Sequence, residues 1–243
     1  MIDNTTYKKL FIIILLFFSL YIAYQSVIIA RANAWYFNAR NTVDYMTKNS
    51  LERLKLTQAR TAINKAIYLQ PIHPHYLHMS AFISVLEYEY DAVHSIDNNE
   101  ESFQIIEAKK ALNLSLAHRK SWSKTWVLLA QVVSIEQGAS KQVYSLLKNA
   151  KLAGPYDFDV HLAVLHISLN NWENLSPNFR HFYVQELINA ANQDFYFHKV
   201  FDMAEEIGML STLCLSLQFG KEFDKVKQTS SYKYMCVDKR LSS

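Results

Sequence analysis

From Leu10 to Ala30 the chain runs for 21 residues without a charge, and Gln25 is its strongest polar interruption. At about 1.5 Å per residue, such a helix crosses a hydrocarbon core of roughly 30 Å. It is apolar on every side, whereas a surface helix of a soluble protein keeps a polar face. Beyond it the pattern changes, and apolar positions recur at steps of three and four, the mark of amphipathic helices. A first such segment spans 33–48 with Ala34, Phe37, Val43 and Met46. Ser50 is placed to N-cap a second that ends at Leu69. Pro74 opens a third, through Tyr90, and Asp91 to Glu101 is polar enough to predict a loop. A fourth, from Ser102 to Leu116, sets Ile105, Ala108 and Leu112 on one face. Ser121 or Ser123 caps a fifth, carrying Trp126, Leu129, Ala130 and Val133. The sixth holds Val143, Leu146, Leu147 and Ala150 and stops at Gly154-Pro155. The seventh, Asp157 to Leu169, is apolar on most sides, which predicts deep burial. Ser176-Pro177 is an N-cap followed by proline at the first helical position, opening an eighth with Phe179, Phe182, Tyr183, Leu187 and Ala190. Asp194 caps a ninth, and Leu210 to Phe219 closes the series; past Gly220 the polar pattern predicts a loose tail.

A phrase recurs within this series. Ala66-Ile67-Tyr68-Leu69-Gln70-Pro71 is followed 45 residues later by Ala111-Leu112-Asn113-Leu114-Ser115-Leu116, and 39 further on by Ala150-Lys151-Leu152-Ala153-Gly154-Pro155. Periods of this length belong to helical-hairpin repeats of tetratricopeptide (TPR) or HEAT size. Ala59, Ala62 and Ala66 share a helical face, and Ala111 and Ala150 open the later copies. Together they predict a seam where small side chains let neighbouring helices approach closely. Pro71, Pro74, Pro155 and Pro177 fall at helix boundaries. Gly138, Gly154, Gly208 and Gly220 each follow an apolar run, where a left-handed cap is expected. The predicted fold is all-α: a tail (1–9), a transmembrane helix (10–30), one domain of stacked TPR-like hairpins (35–219) and a tail (220–243).

Charge adds topology. The chain has 25 Lys and Arg against 22 Asp and Glu, a net +3, of which Lys8, Lys9, Arg31 and Asp3 supply +2. A body so close to neutral lacks the basic stripe of a nucleic-acid binder. Lys8 and Lys9 favour a cytoplasmic tail and a body on the far side, and Trp35-Tyr36-Phe37 suits the membrane–water interface. Ala32-Asn33-Ala34 offers the small-x-small pattern of a cleaved signal peptide, but the apolar run is long for one, which favours a retained anchor.

Candidate chemistry is sparse. His73, His75 and His78 form the best metal-like cluster, yet metal sites need convergent ligands and a solvated turn accounts for them as well. His161 and His166, five apart on an apolar helix, read as packing residues, and Glu87, Glu89, Glu205 and Glu206 as helix surface. There is no Gly-rich phosphate loop and no nucleophile elbow. No catalytic, cofactor-binding or metal-binding residue is assigned, and the chain reads as a non-enzyme. Trp122 and Trp126, one turn apart, suit either packing between repeats or anchoring a sugar ring or partner peptide. Cys214 and Cys236 form a disulfide in an oxidising compartment and two unpaired thiols otherwise.

In their order along the chain, several of these pieces resemble the VpsP-type family of exopolysaccharide biosynthesis proteins of the Gram-negative envelope. They are the N-terminal membrane segment, Ala66 to Pro74, Lys110-Ala111-Leu112, Trp122 with Trp126-Val127-Leu128-Leu129-Ala130, Gly138, Ala150 to Tyr156 and Asn171-Trp172. The resemblance covers roughly Leu10 to Ala190. It departs where Leu116 and His118-Arg119-Lys120 stand in place of a proline-bearing turn before Trp122. The resemblance implies a single-pass inner-membrane protein with a periplasmic TPR-like domain. Its role would be that of an accessory scaffold for exopolysaccharide biosynthesis or export, partnered by membrane proteins of that machinery, with no cofactor and no small-molecule substrate. The alternative is a general cell-envelope assembly adaptor acting through protein–protein contacts.

Overall fold

The computed structural model describes residues 4–94 and 99–238, which are helical with no strand among them. They form two compact units that divide between His118 and Arg119, inside the expected 35–219 domain. The first unit holds α1 (Asn4–Met46), α2 (Arg53–Leu69), α3 (Pro74–Val93) and α4 (Asn99–His118), each packed on the next.

The predicted membrane segment and the first predicted amphipathic helix are one uninterrupted helix of 43 residues, about 65 Å long. Nothing from Ala30 to Ala34 breaks it: there is no Gly or Pro, and three of these five residues are alanines, the strongest helix formers. Its first half is apolar, exposed and long enough to cross a membrane. Its second half buries Ala32, Ala39, Val43 and Met46, a stripe at steps of seven, four and three that packs with Ala59, Ala62, Ile63 and Ala66 of α2. Tyr76 of α3 donates its hydroxyl to Asn33 Oδ1 at 2.8 Å, tying the start of α3 to α1.

Three local expectations change here. Ser50 is not the cap of α2; Glu52 precedes the helix and makes no side-chain capping bond. Asp91 is not in a loop, because α3 continues to Val93 and the carboxylate is buried, held by Arg53 and Gln104. The remainder of that predicted loop, residues 95–98, lies outside the described residues, and Asn99 is already helical. The alanine seam also shifts on α4. Its buried face is Ile105, Ala108, Leu112, Ser115 and Leu116, and Ala111 lies half-exposed on the flank. Ala66→Leu should therefore overpack the first unit and lower its stability by about 1–3 kcal/mol. Ala111→Leu should stay within about 0.5 kcal/mol of the parent. Urea unfolding of both variants checks the pair, and equal losses would refute this placement of the seam.

The second unit holds α5 (Ser123–Gln137), α6 (Lys141–Ala153), α7 (Phe158–Asn170), α8 (Pro177–Ala191), α9 (His198–Glu206) and α10 (Leu210–Gln218). α5 pairs with α6 and α7 with α8, again as hairpins. Ser140 and Ser176 cap α6 and α8 by accepting from Val143 and Phe179 amides. As its pattern predicts, α7 is the most buried helix, with Val160, Ala163, Val164, Leu165, Ile167 and Leu169 all inside. Neither Ser121 nor Ser123 caps α5: Trp122 precedes it, and Ser123 instead donates its hydroxyl to Asp157 Oδ2 at 2.6 Å. Gly154 is not a left-handed cap either, unlike Gly138, Gly208 and Gly220. Its φ is −148°, and its requirement is space, since a Cβ there would stand 2.7 Å from that of Ser123.

The loose tail predicted after Gly220 is not what forms. Short helical turns run from Lys221 to Asp238, and Phe223, Val226 and Cys236 are buried in the core built by α7 to α10. Cys236 is joined to Cys214 of α10 in a disulfide with Cα atoms 5.5 Å apart. Three buried side chains in eighteen residues are too few for a periodicity to reveal. Residues 239–243 lie outside the described residues.

Candidate functional site

α2 runs antiparallel to α1 and returns along it toward the apolar half. Lys55 Nζ sits 5.2 Å from the ring centroid of Tyr45, and Lys65 Nζ, further along α2, sits 4.1 Å from that of Trp35. Between these contacts the helices leave a groove of about 360 Å³, lined by Trp35, Asn38 and Thr42 of α1 and Thr57, Gln58, Thr61 and Ala62 of α2. On α1 the lining residues are spaced by three and four, so they share one stripe, and Arg31 begins the same stripe one turn earlier. None of the lining side chains is charged. They supply one indole, two amides and three hydroxyls. Each threonine donates its proton to a backbone carbonyl one turn back, Thr42 to Asn38, Thr57 to Arg53 and Thr61 to Thr57, at 2.8–3.0 Å. Their oxygens keep lone pairs to accept from a ligand, while Asn38 and Gln58 bring both donors and acceptors. Counted along α1 from Ala30, the groove lies about 7–18 Å beyond the end of the apolar run.

Two clusters of charged side chains bridge helices elsewhere. Arg60 bridges α2 to α3, bonding Glu87 and the hydroxyls of Ser80 and Ser84. Glu87 is thus a half-buried partner rather than plain helix surface. In the second unit His161 of α7 and Glu186 of α8 are 1% and 3% exposed. Glu186 accepts from the His161 ring, from Lys151 Nζ at 3.0 Å and from Asn189 Nδ2 at 3.1 Å. Burial works to raise the Glu186 carboxyl; the bonds from His161 and Lys151 together outweigh it and leave it below the ordinary carboxylate range. Nearby, burial pushes the Tyr183 phenol up to about 12, against the opposing effect of its bond to Ser216. His166 is half-buried, and burial lowers its imidazole against a smaller opposing effect of Glu206. This acid–base constellation is packed among apolar side chains, with the Lys151 chain as its most exposed member. The trio ties α6, α7 and α8 together through the Glu186 carboxylate.

The residues singled out from the sequence are scattered. Trp122 and Trp126 are both half-buried at the start of α5. The Arg119 guanidinium lies 5.1 Å from the Trp122 ring centroid, and the Trp126 indole donates to the Lys120 carbonyl at 2.8 Å. Ala59, Ala62, Ala66 and Ala150 are buried at helix contacts, with Ala62 also lining the groove. His73 stacks on Tyr76 at 4.0 Å and lies 5.7 Å from His75, ring to ring. Among the described residues, no group of three or more His, Cys, Asp or Glu side chains is placed to hold a metal ion. Sequence reasoning missed the groove and the Glu186 trio. The groove's signal was there as a run of uncharged polar residues, Thr57, Gln58 and Thr61 facing Asn38 and Thr42, where an ordinary exposed helix face carries charge. Neither a family model, nor a curated protein, nor a solved structure matches this chain.

Proposed function

We propose that this protein is a membrane-anchored helical scaffold of the cell envelope that supports exopolysaccharide synthesis or export, acting through protein contacts on the periplasmic side of the inner membrane. The observation that carries the reading is α1: the apolar segment and the first core helix of the folded body are one helix, so the body stands on its anchor without a joint. A retained anchor is favoured by the core itself. Ala32 is fully buried and Asn33 is bonded to Tyr76, so cleavage after Ala34 would strip both from the first unit. The Cys214–Cys236 disulfide suits an oxidising compartment, and Lys8-Lys9 suits a cytoplasmic tail. The link to polysaccharide comes from the ordered resemblance described above.

Deleting the gene should lower surface polysaccharide while glycosyltransferase activities in extracts stay measurable. A flexible Gly-Ser insertion between Ala30 and Arg31 keeps both anchor and core and should restore polysaccharide poorly. Normal polysaccharide in the deletion strain defeats the reading and promotes the general assembly adaptor.

A further inference from the structure

We propose that the α1–α2 groove binds the sugar of a glycan joined through phosphate to a membrane lipid. The inference rests on the reading of α1 as a membrane anchor. The lining is what a neutral polyhydroxylated ligand needs: amides and hydroxyl oxygens for its hydroxyl groups, and an indole for the apolar C–H face of a pyranose ring. A purely anionic ligand would find no cation within the groove, and an apolar helix would strand two amides. The volume of about 360 Å³ is near the lower end for small-molecule sites and suits one or two sugar rings.

Position distinguishes a lipid-borne sugar from a free one. The groove begins about 7 Å beyond the apolar run, within the headgroup layer and just above it. Two cations stand at its membrane-side end, and Lys55 flanks the far end beside Tyr45. Arg31 precedes Trp35 by one turn on α1, and Lys65 follows Thr61 by one turn on the descending α2, with its Nζ over one face of the Trp35 ring, which leaves the opposite face and the ring edge for a sugar. A phosphate linking glycan to lipid lies between the sugar and the bilayer, which is where these two charges stand. The order along α1, apolar run, cations, indole, amides and hydroxyls, repeats the order of lipid, phosphate and sugar.

The full chain in phosphatidylcholine nanodiscs should bind radiolabelled polyprenyl phosphate carrying glucose, galactose or N-acetylglucosamine, with at least one of the three retained. Gln58→Leu with Thr61→Val, which alters exposed groove positions, should weaken that binding about tenfold or more without changing the melting temperature. Lys65→Gln should weaken it several-fold, and more at low salt. Glucose 1-phosphate and maltotriose should bind at least tenfold more weakly than the lipid-borne sugar. Binding of none of the three lipids, or binding indifferent to the groove variants, overturns the proposal. Equal affinity for maltotriose overturns its lipid part. If the deletion strain loses polysaccharide while a strain carrying Gln58→Leu and Thr61→Val makes it normally, this proposal fails and the scaffold reading stands.

Discussion

Glu186→Ala should lower the stability of the second unit by about 3–5 kcal/mol, because it leaves the buried His161 ring without its hydrogen-bond partner and the partly buried Lys151 without its counter-charge. Most of that loss is the cost of stranded charges rather than the worth of the original bonds. Replacing the trio together, with Lys151→Met, His161→Leu and Glu186→Leu, should recover most of it. Chemical denaturation of the single and triple variants separates the two terms, and a triple variant no better than Glu186→Ala would assign the network an irreplaceable bonding role. The wild type carries a pH signature as well. Its Glu186 carboxyl titrates below the unfolded value of about 4.3. Its contribution is therefore complete above that value and is lost as the pH falls through the folded value. Glu186→Gln should flatten the acid limb of the stability profile; an unchanged limb would mean that other carboxylates control it.

Cys214→Ala with Cys236→Ala should cost about 3 kcal/mol by the loop-entropy relation, given a separation of 22 residues. The cost falls on a defined segment. Phe223 and Val226, with the partly buried Tyr232 and Met235, hold the stretch after α10 to the core between the two cysteines. Limited proteolysis of reduced protein should accordingly cut between Gly220 and Cys236 well before the helices of the second unit are attacked. Alkylation and mass spectrometry of non-reduced protein gives the complementary reading, since two reactive thiols would remove the bond from the account. Loss of stability without early cutting would show that the apolar contacts alone keep the segment docked.

The all-α class, the end of α6 and the start of α8 were readable because local chemistry writes them, whereas α5 and α9 start after Trp122 and Phe197 rather than at the expected Ser121, Ser123 and Asp194 caps. Ser176-Pro177 and Gly154-Pro155 act over three or four residues, and periodicity does the rest. Failures occurred where the deciding partner is distant in sequence. Asp91 resembles a loop residue until Arg53, 38 positions earlier, neutralises it. Glu87 resembles surface until Arg60, 27 positions earlier, reaches it. Ala111 matches its repeat copies in phrase but not in phase, since the face of α4 that turns inward is set by Ala108 and Leu112. The groove left no motif, because its chemistry is divided between two helices and consists of the least distinctive polar residues.

α1 acts as a screw. A helix with no joint couples rise to rotation, about 1.5 Å and 100° for each residue. The compass direction in which the first unit faces is therefore set by the count of residues between the bilayer and Ala32, in addition to its height. One residue added within that interval would swing the α1–α2 groove about a quarter of the way round while lifting it hardly at all; seven would return it to within about 20° of its bearing, lifted by about 10 Å. A neighbour that packs on one face of the apolar half would therefore find the groove at a fixed azimuth from that contact.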